Sequence, residues 1–167
     1  MTAIVMVGLM GSGKTTVGRL VAEATGRELV DVDVAITART GKTVRQLWEE
    51  GGEAAYRSLE RDEVLATLGR DVVLAAPGGV ILDPTVRDAL GEAFVAWLRA
   101  RPATLAARVR PGDHRPLLGE NPADDFTTMD AERADLYAAV ADITLDADAQ
   151  GPDALAAELL ERLPDAP

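Results

Sequence analysis

The segment that most constrains the fold lies at residues 8–15, which read GLMGSGKT and match the spacing G-x-x-x-x-G-K-[ST]. An apolar run, Ala3–Val7, precedes it, and an amphipathic segment, Lys14–Thr25, follows it. Glycines let successive backbone N–H groups point at one anion, and the N-terminus of the following helix adds roughly half a positive charge there. The segment therefore predicts a strand, a phosphate-binding loop and a helix, in that order.

The side chains of this loop suit a nucleotide and its metal ion. We expect Lys14 to reach the outer phosphates of ATP and the Thr15 hydroxyl to ligate Mg²⁺. The alternatives are a glycine-rich turn whose lysine lies in solvent, or a dinucleotide-binding turn; the latter requires G-x-G-x-x-G, which this segment does not match. The predicted nucleotide-binding residues of the segment are Gly11, Ser12, Gly13, Lys14, Thr15 and Thr16.

Short apolar runs alternate with longer helical patterns along the chain, which is typical of an α/β fold with a parallel sheet buried on both faces. Neither a repeat nor a linker divides the sequence, so residues 1–167 are predicted to form one domain. The predicted strands are Ala3–Val7, Glu28–Val32, Val72–Ala76, Ala93–Leu98 and Ile143–Asp146. The predicted helices are 14–25, 41–68 with an interruption at Gly51-Gly52, 85–90, 104–108, 130–140 and 153–163.

Charge and composition exclude several classes of protein. The chain has 17 basic and 28 acidic residues, and the resulting net charge of -11 argues against a surface that binds nucleic acid or an anionic membrane. Without cysteine there is no disulfide, thiol nucleophile or Cys-type zinc site, so any metal must be held by oxygen. His114 stands alone in a Gly/Pro-rich stretch, which disfavours a Ser-His-Asp triad. No apolar run approaches the roughly 20 residues of a membrane span, and we expect a cytoplasmic protein.

Two carboxylates, Asp31 and Asp33, come at the end of the second predicted strand. Because alternate residues of a strand point to the same side, they would lie together at the edge of the sheet where α/β proteins bind ligands. Asp31 would then lie near Mg²⁺, and Asp33 would act on an acceptor hydroxyl as base or orienting group. The alternative is that Asp33 caps the helix that follows.

Arginines on the predicted helices are candidates for binding an anionic substrate. Arg57 shares a helix face with Glu53 and Glu60, so it either binds a carboxylate with support from Glu60 or forms an exposed pair with Glu53 worth only ~0.3–0.5 kcal/mol. Arg133 has the same two readings. Trp48 and Tyr56 would either wall the acceptor pocket or belong to the core. Residues 110–122 predict a long surface loop of the kind that forms lids.

Six motifs in order resemble those of the shikimate kinase family. They are the loop 8–18, Asp31-x-Asp33, Gly52-Glu53-x-x-Tyr56-Arg57-x-x-Glu60, Gly78-Gly79, Arg115-Pro-Leu-Leu118 and Arg133-x-x-Leu-Tyr137. The resemblance as a whole runs from about residue 3 to residue 163. The resemblance implies a three-layer P-loop kinase with a five-stranded parallel sheet, a helical substrate-binding segment at about 33–61 and a lid at about 110–126. It also implies transfer of the ATP γ-phosphate to the 3-hydroxyl of shikimate in aromatic amino-acid biosynthesis, by a monomer.

The resemblance implies roles for individual residues. Lys14, Asp33 and Arg115 would be catalytic, with Asp33 on the acceptor hydroxyls and Arg115 brought by the lid onto the phosphates. Arg108 would lie near the adenine. The residues implied to bind shikimate are Asp33, Arg57, Gly78, Gly79 and Arg133.

The sequence departs from the family pattern after the third strand and in the lid. Pro77 takes the place of the first of three glycines, and because proline has no N–H, any contact made by that amide is lost. Residues 119–128 are more acidic than in the family, through Glu120, Asp124 and Asp125. Two alternatives therefore stay open: a kinase of another small polyhydroxylated carboxylate or cyclitol, and a nucleotide-binding module without turnover.

Overall fold

The computed structural model describes residues 2–109 and 118–164, and its centre is a five-stranded parallel sheet in the order β2-β3-β1-β4-β5. This sheet confirms the predicted fold class, and four-residue strands such as β1 and β3 are wholly buried, as their continuous apolar runs indicate. The strands are β1 Ile4–Val7, β2 Glu28–Asp31, β3 Val72–Ala75, β4 Phe94–Arg99 and β5 Ile143–Asp146.

Within the described residues, six helices and one 3₁₀ turn connect the strands, and a seventh helix follows the last strand. Four of the helices begin with a proline at their first turn, where the missing N–H would have had no intrahelical partner. The helices are α1 Lys14–Thr25, α2 Val32–Thr40, α3 Val44–Leu68, α4 Pro84–Leu90, α5 Pro102–Arg108, α6 Pro122–Val140 and α7 Pro152–Arg162, and the 3₁₀ turn is Gly78–Leu82.

The strand order separates the helices into two layers. The connection from β1 to β2 runs one way along the sheet, and those from β2 to β3, β3 to β4 and β4 to β5 run the other way. Because such crossovers are right-handed, α1 lies on one face and α2 to α6 lie on the opposite face. The packing agrees: α1 packs against α7, whereas α3 and α6 both pack against the 3₁₀ turn.

The crossovers from β1 and β3 leave in opposite directions although these strands are neighbours, and ligands of open α/β sheets bind at such a point. Ala75 is in register with Met6 of β1 and with Asp31 of β2, so the three strands end at the same level. The segments that follow them carry the phosphate-binding motif, Asp33 in the first turn of α2, and Gly78 with Gly79 in the 3₁₀ turn. The fold therefore brings three of the six motifs to one edge.

The predicted end of the second strand was wrong by one residue, and a helix was missed. Strand β2 ends at Asp31, and Val32 is already the first residue of α2. The Asp31 carboxylate accepts hydrogen bonds from the backbone N–H groups of Asp33 and Val34, at 3.1 and 3.3 Å, and so caps α2. The capping residue is therefore Asp31 and not Asp33. The strand alternation argued for Asp33 does not apply, since Asp33 lies in the first turn of a helix.

Helix α3 contains the interruption that its sequence predicts. Gly52 has φ 74° and ψ -178°, a conformation that is essentially restricted to glycine, and it kinks the helix between Trp48 and Tyr56. The helix begins with a reciprocal capping box, in which the Thr43 side chain accepts from Gln46 N and the Gln46 side chain accepts from Thr43 N.

Helix α6 begins at Pro122, eight residues before its predicted start, so the C-terminal end of the predicted lid, 122–126, is helical. Its acidic residues have a local explanation: Asp124 and Asp125 lie in the first turn, where negative charge interacts favourably with the helix dipole. Asp125 also accepts a 2.7 Å hydrogen bond from Gly119 N. The remainder of the predicted loop falls largely on residues 110–117, which lie outside the described residues.

Among the helices in the described ranges, none combines the length and the apolar character that crossing a membrane requires.

We predict that Gly52→Ala lowers the free energy of unfolding by about 1–3 kcal/mol, because alanine is strained in the backbone conformation of Gly52. Gly69→Ala is the matched control, since Gly69 has φ -77° and open space around its Cα; its effect should stay within about 0.5 kcal/mol. Urea unfolding followed by circular dichroism measures both. Equal stability of the two variants would contradict a strained Gly52.

Candidate active site

A cavity of about 630 Å³ opens at the carboxyl ends of β1, β2 and β3. It contains nearly all of the predicted site residues, although they come from six separate stretches of the chain. Those that line it are Gly11, Gly13, Lys14, Thr15, Thr16, Asp31, Asp33, Arg57, Gly78, Gly79, Arg108 and Arg133. Ser12 lines a neighbouring cavity instead, and Arg115 lies outside the described residues.

The phosphate-binding loop has the backbone conformation that its glycines allow. Gly8 has φ 142°, and a Cβ there would lie 2.6 Å from the carbonyl oxygen of Leu98. Gly13 has φ 99° and is the N-cap of α1, so the loop passes directly into the helix N-terminus. The Lys14 ammonium donates to Gly8 O at 2.8 Å and to Leu9 O at 3.0 Å. These bonds hold Lys14 over the loop, and the reading of a solvent-exposed lysine is wrong.

The hydroxyl of Thr15 and the carboxylate of Asp31 meet at the start of α1. Thr15 Oγ1 donates to Asp31 Oδ2 at 2.6 Å. Both are oxygen ligands of the kind that Mg²⁺ prefers, so the pair fits that ion chemically. In residues 2–109 and 118–164, no group of three or more acidic or histidine side chains could hold a metal ion by itself. This is typical of Mg²⁺ sites that rely on one or two protein ligands together with substrate phosphates.

Asp33 enters the cavity from the first turn of α2. Its carboxylate contacts Tyr56 of α3: the Tyr56 hydroxyl donates to Asp33 Oδ1 at 2.6 Å. Burial, followed by the hydrogen bond to this carboxylate, raises the pKa of Tyr56 far above its ordinary value. Tyr56 is 2% exposed and its ring lies 5.9 Å from that of Trp48, which also lines the cavity. Both aromatics therefore line the cavity, Tyr56 as a core residue and Trp48 as a partly buried one packed against the core. That they wall an acceptor pocket stays a prediction.

Arg57 is paired with Glu60 in the way that suits a positioned guanidinium. Its Nη1 donates to Glu60 Oε2 at 2.7 Å, whereas Glu53 is 3.6 Å away. The Glu60 side chain is only 5% exposed, and burial raises its pKa while the Arg57 charge opposes that change. Arg57 therefore has both partners that its helix face offers, a close and buried one in Glu60 and a longer, exposed one in Glu53. Its role in binding a carboxylate stays a prediction.

Gly79 touches the flat face of the Arg57 guanidinium. A Cβ added at Gly79 would lie 2.7 Å from Arg57 Nη2, and closer still to Cζ and Nη1. Any larger residue would therefore displace the guanidinium. This contact explains a glycine at position 79 by close approach rather than by backbone conformation.

Arg133 is the most buried cation of the cavity. It is 5% exposed, its Nε makes no hydrogen bond within the described chain, and the carboxylate paired with it, Glu132, is 3.6 Å away. One turn later on α6, the Tyr137 hydroxyl donates to Gly78 O at 2.5 Å, which ties the 3₁₀ turn to this helix. Arg133 also interacts with the Tyr137 side chain and with the charge of Glu60, but its buried Nε is unsatisfied, and an anionic ligand would suit such a cation.

Arg108 connects the main cavity to a second one of about 340 Å³. Its Nη1 donates to Gly11 O at 3.0 Å and its Nη2 to Ala147 O at 2.8 Å, which fixes the guanidinium against the phosphate-binding loop. Sequence reasoning missed the opposite wall of this second cavity, formed by Ala147, Gln150, Pro152 and Leu155. No local motif marks it, since the loop after β5 reaches the site only through the sheet order.

Comparisons with known proteins agree with this geometry. The shikimate kinase family model matches residues 10–164. The shikimate kinase of Symbiobacterium thermophilum is 42% identical over 165 residues, which cover 96% of this chain and 95% of that protein. The shikimate kinase of Mycobacterium tuberculosis is 40% identical over 161 residues, covering 95% and 92%. The structure of the shikimate kinase from Acinetobacter baumannii in complex with shikimate superposes with a TM-score of 0.91 at 35% identity, covering 96% of this chain and 92% of that one.

The order of the motifs, the convergence of five of the six on one cavity and these comparisons lead to one family. The chain belongs to the shikimate kinase family.

Proposed function

We propose that this chain transfers the γ-phosphoryl group of ATP to the 3-hydroxyl of shikimate, in the pathway to chorismate and the aromatic amino acids. The observation that supports it most is the composition of the cavity of about 630 Å³. One end holds a phosphate-binding loop, and the other holds two arginines and a carboxylate. A nucleotide and a small polyhydroxylated acid would occupy these two ends.

The nucleotide would bind with its phosphates on the loop at residues 8–15. The backbone N–H groups and Lys14 would hold the β- and γ-phosphates, and the base would enter the second cavity beside Arg108. Thr15 and Asp31 would hold Mg²⁺, which supplies positive charge to the transferred phosphoryl group. For both groups to bind this ion, the direct hydrogen bond between Thr15 and Asp31 would have to break.

The carboxylate of shikimate would bind between Arg57 and Arg133. A guanidinium is suited to this task because it is planar, stays protonated and donates two parallel hydrogen bonds to a carboxylate. Both arginines are held by the fold before the ligand arrives, Arg57 by Glu60 and Gly79, and Arg133 by its burial in α6. Backbone groups of Gly78 and Gly79 would line the ring of the acceptor.

Asp33 would accept the proton of the attacking hydroxyl and orient it toward the γ-phosphate. Phosphoryl transfer needs little covalent help from a protein, so the main contributions are positioning and charge stabilisation. Lys14 supplies positive charge on the loop side. The prediction that Arg115 adds a second cation from a closing lid, and excludes water as it closes, falls outside the described residues and stays a prediction.

The further partner expectations follow from charge and from the resemblance. A net charge of -11 supports the expectation that neither nucleic acid nor an anionic membrane binds the chain. A monomer in the cytoplasm stays a prediction.

The direct test is ADP release, measured with a coupled assay and a panel of acceptors: shikimate, gluconate and a set of cyclitols. We expect ADP production that depends on both shikimate and Mg²⁺. Turnover with another acceptor but not with shikimate would show that the acceptor proposed here is wrong. No turnover with any acceptor at millimolar concentrations would indicate a nucleotide-binding module instead.

We predict that Asp33→Asn lowers kcat by on the order of 10²–10⁴-fold, because it removes the proton acceptor. ATP affinity, measured by calorimetry, should change less than twofold, because Asp33 lies on the acceptor side of the cavity. Wild-type turnover in this variant would refute the proposed role of Asp33, but it would not contradict the proposed role of the phosphate-binding loop.

We predict that Gly79→Ala raises the KM for shikimate on the order of tenfold, because its methyl group displaces Arg57 and one charge-assisted hydrogen bond is worth about 1.5–3 kcal/mol. Arg57→Ala should show a similar defect. In both variants the KM for ATP should stay within about twofold. Gly69→Ala, which lies outside the cavity, controls for the substitution itself. A defect in ATP affinity alone would contradict the placement of Arg57 on the acceptor.

A further inference from the structure

Tyr56 carries a hydroxyl that the proposed binding and transfer steps do not use. Tyr56 lies on α3, after the kink at Gly52, and its hydroxyl donates to Asp33 Oδ1 on α2 at 2.6 Å. The hydrogen bond therefore joins the two helices. A bond this short to a carboxylate is charge-assisted and stronger than one between neutral groups. It joins a residue of the core to the residue proposed to act on the acceptor.

Asp33 needs such a restraint. It is exposed, and a short side chain at the start of a helix can otherwise adopt several rotamers. Its backbone end is held by the capping bond from Asp33 N to Asp31 Oδ1, at 3.1 Å. The Tyr56 hydroxyl holds the other end. With both ends held, the carboxylate stays in one orientation at the mouth of the cavity.

Tyr56 is itself rigid enough to act as this restraint. It is 2% exposed, and its ring is packed at 5.9 Å from that of Trp48. Burial, followed by the hydrogen bond to Asp33, raises the pKa of Tyr56, which favours the neutral, hydrogen-bond-donating form of the hydroxyl. Its neighbour on the helix is Arg57, so one turn of α3 holds both the proposed carboxylate-binding arginine and the restraint on Asp33.

We propose that Tyr56 is a positioning residue for phosphoryl transfer, and that its hydroxyl holds Oδ1 of Asp33 so that Oδ2 is left to accept the proton of the acceptor hydroxyl. This inference rests on the proposed role of Asp33. It adds that the geometry of this carboxylate depends on a hydroxyl that makes no contact with the phosphates. Because proton transfer depends strongly on orientation, loss of the restraint acts on the chemical step more than on binding.

The test is Tyr56→Phe, which removes one oxygen atom and keeps the ring packed on Trp48. We expect kcat to fall about five- to tenfold while KM for shikimate and for ATP stay within about twofold. The melting temperature reports whether the fold is kept. Thr67→Val is the matched control, since it removes a buried hydroxyl from the same helix, away from both cavities. Its kcat should equal that of the wild type.

Three results would overturn the proposal: an unchanged kcat in Tyr56→Phe, a defect confined to KM, or a loss of activity that accompanies unfolding, since each assigns the hydroxyl to another role. A wild-type kcat in Tyr56→Phe together with a collapsed kcat in Asp33→Asn would overturn this inference alone. A wild-type kcat in Asp33→Asn would remove the proposed role of Asp33, and this inference with it.

Discussion

The carboxylate of Asp31 is the interaction on which the geometry of this site depends. One oxygen accepts from the backbone N–H groups of Asp33 and Val34 and starts helix α2, and the other accepts from Thr15 at the start of α1. A single side chain therefore joins strand β2, the phosphate-binding loop and the helix that carries Asp33. Because Asp33 lies two residues after this cap, its direction relative to the loop is set by the same bonds. The proposed nucleotide end and the proposed acceptor end of the cavity thus both depend on the Asp31 side chain.

The charge of the protein is arranged unequally around this point. The chain carries a net charge of -11, but Lys14, Arg57, Arg108 and Arg133 all line one cavity. Concentrating cations in a partly buried cleft is costly unless anions accompany them. Glu60 offsets part of this cost beside Arg57, and the proposed phosphates and carboxylate would offset the rest. Excess acid elsewhere therefore favours solubility without preventing the binding of anions.

The sequence predicted the sheet, the phosphate-binding loop and most of the residues that line the cavity, and the errors have physical reasons. Continuous apolar runs and a motif with fixed spacing identified β1, α1 and the phosphate-binding loop, since both signals are local. Helix α2 was missed because Asp31-Val32-Asp33 follows an apolar run and alternates like a strand until the Asp31 side chain turns back to cap the helix. The contacts from Tyr56 to Asp33 and from Tyr137 to Gly78 join residues 23 and 59 positions apart. No local pattern indicates such bonds, because they arise from how α3 and α6 pack over the sheet edge.

The central claim is that this one cavity aligns the acceptor between two arginines and Asp33, opposite the phosphate-binding loop. A crystal structure of the chain with shikimate, Mg²⁺ and a non-hydrolysable ATP analogue measures that alignment directly. We expect the shikimate carboxylate to bind Arg57 and Arg133, and the 3-hydroxyl to lie within hydrogen-bonding distance of Asp33 and to face the γ-phosphate. A complex in which the carboxylate lies away from both arginines, or in which Asp33 contacts no hydroxyl, would contradict it.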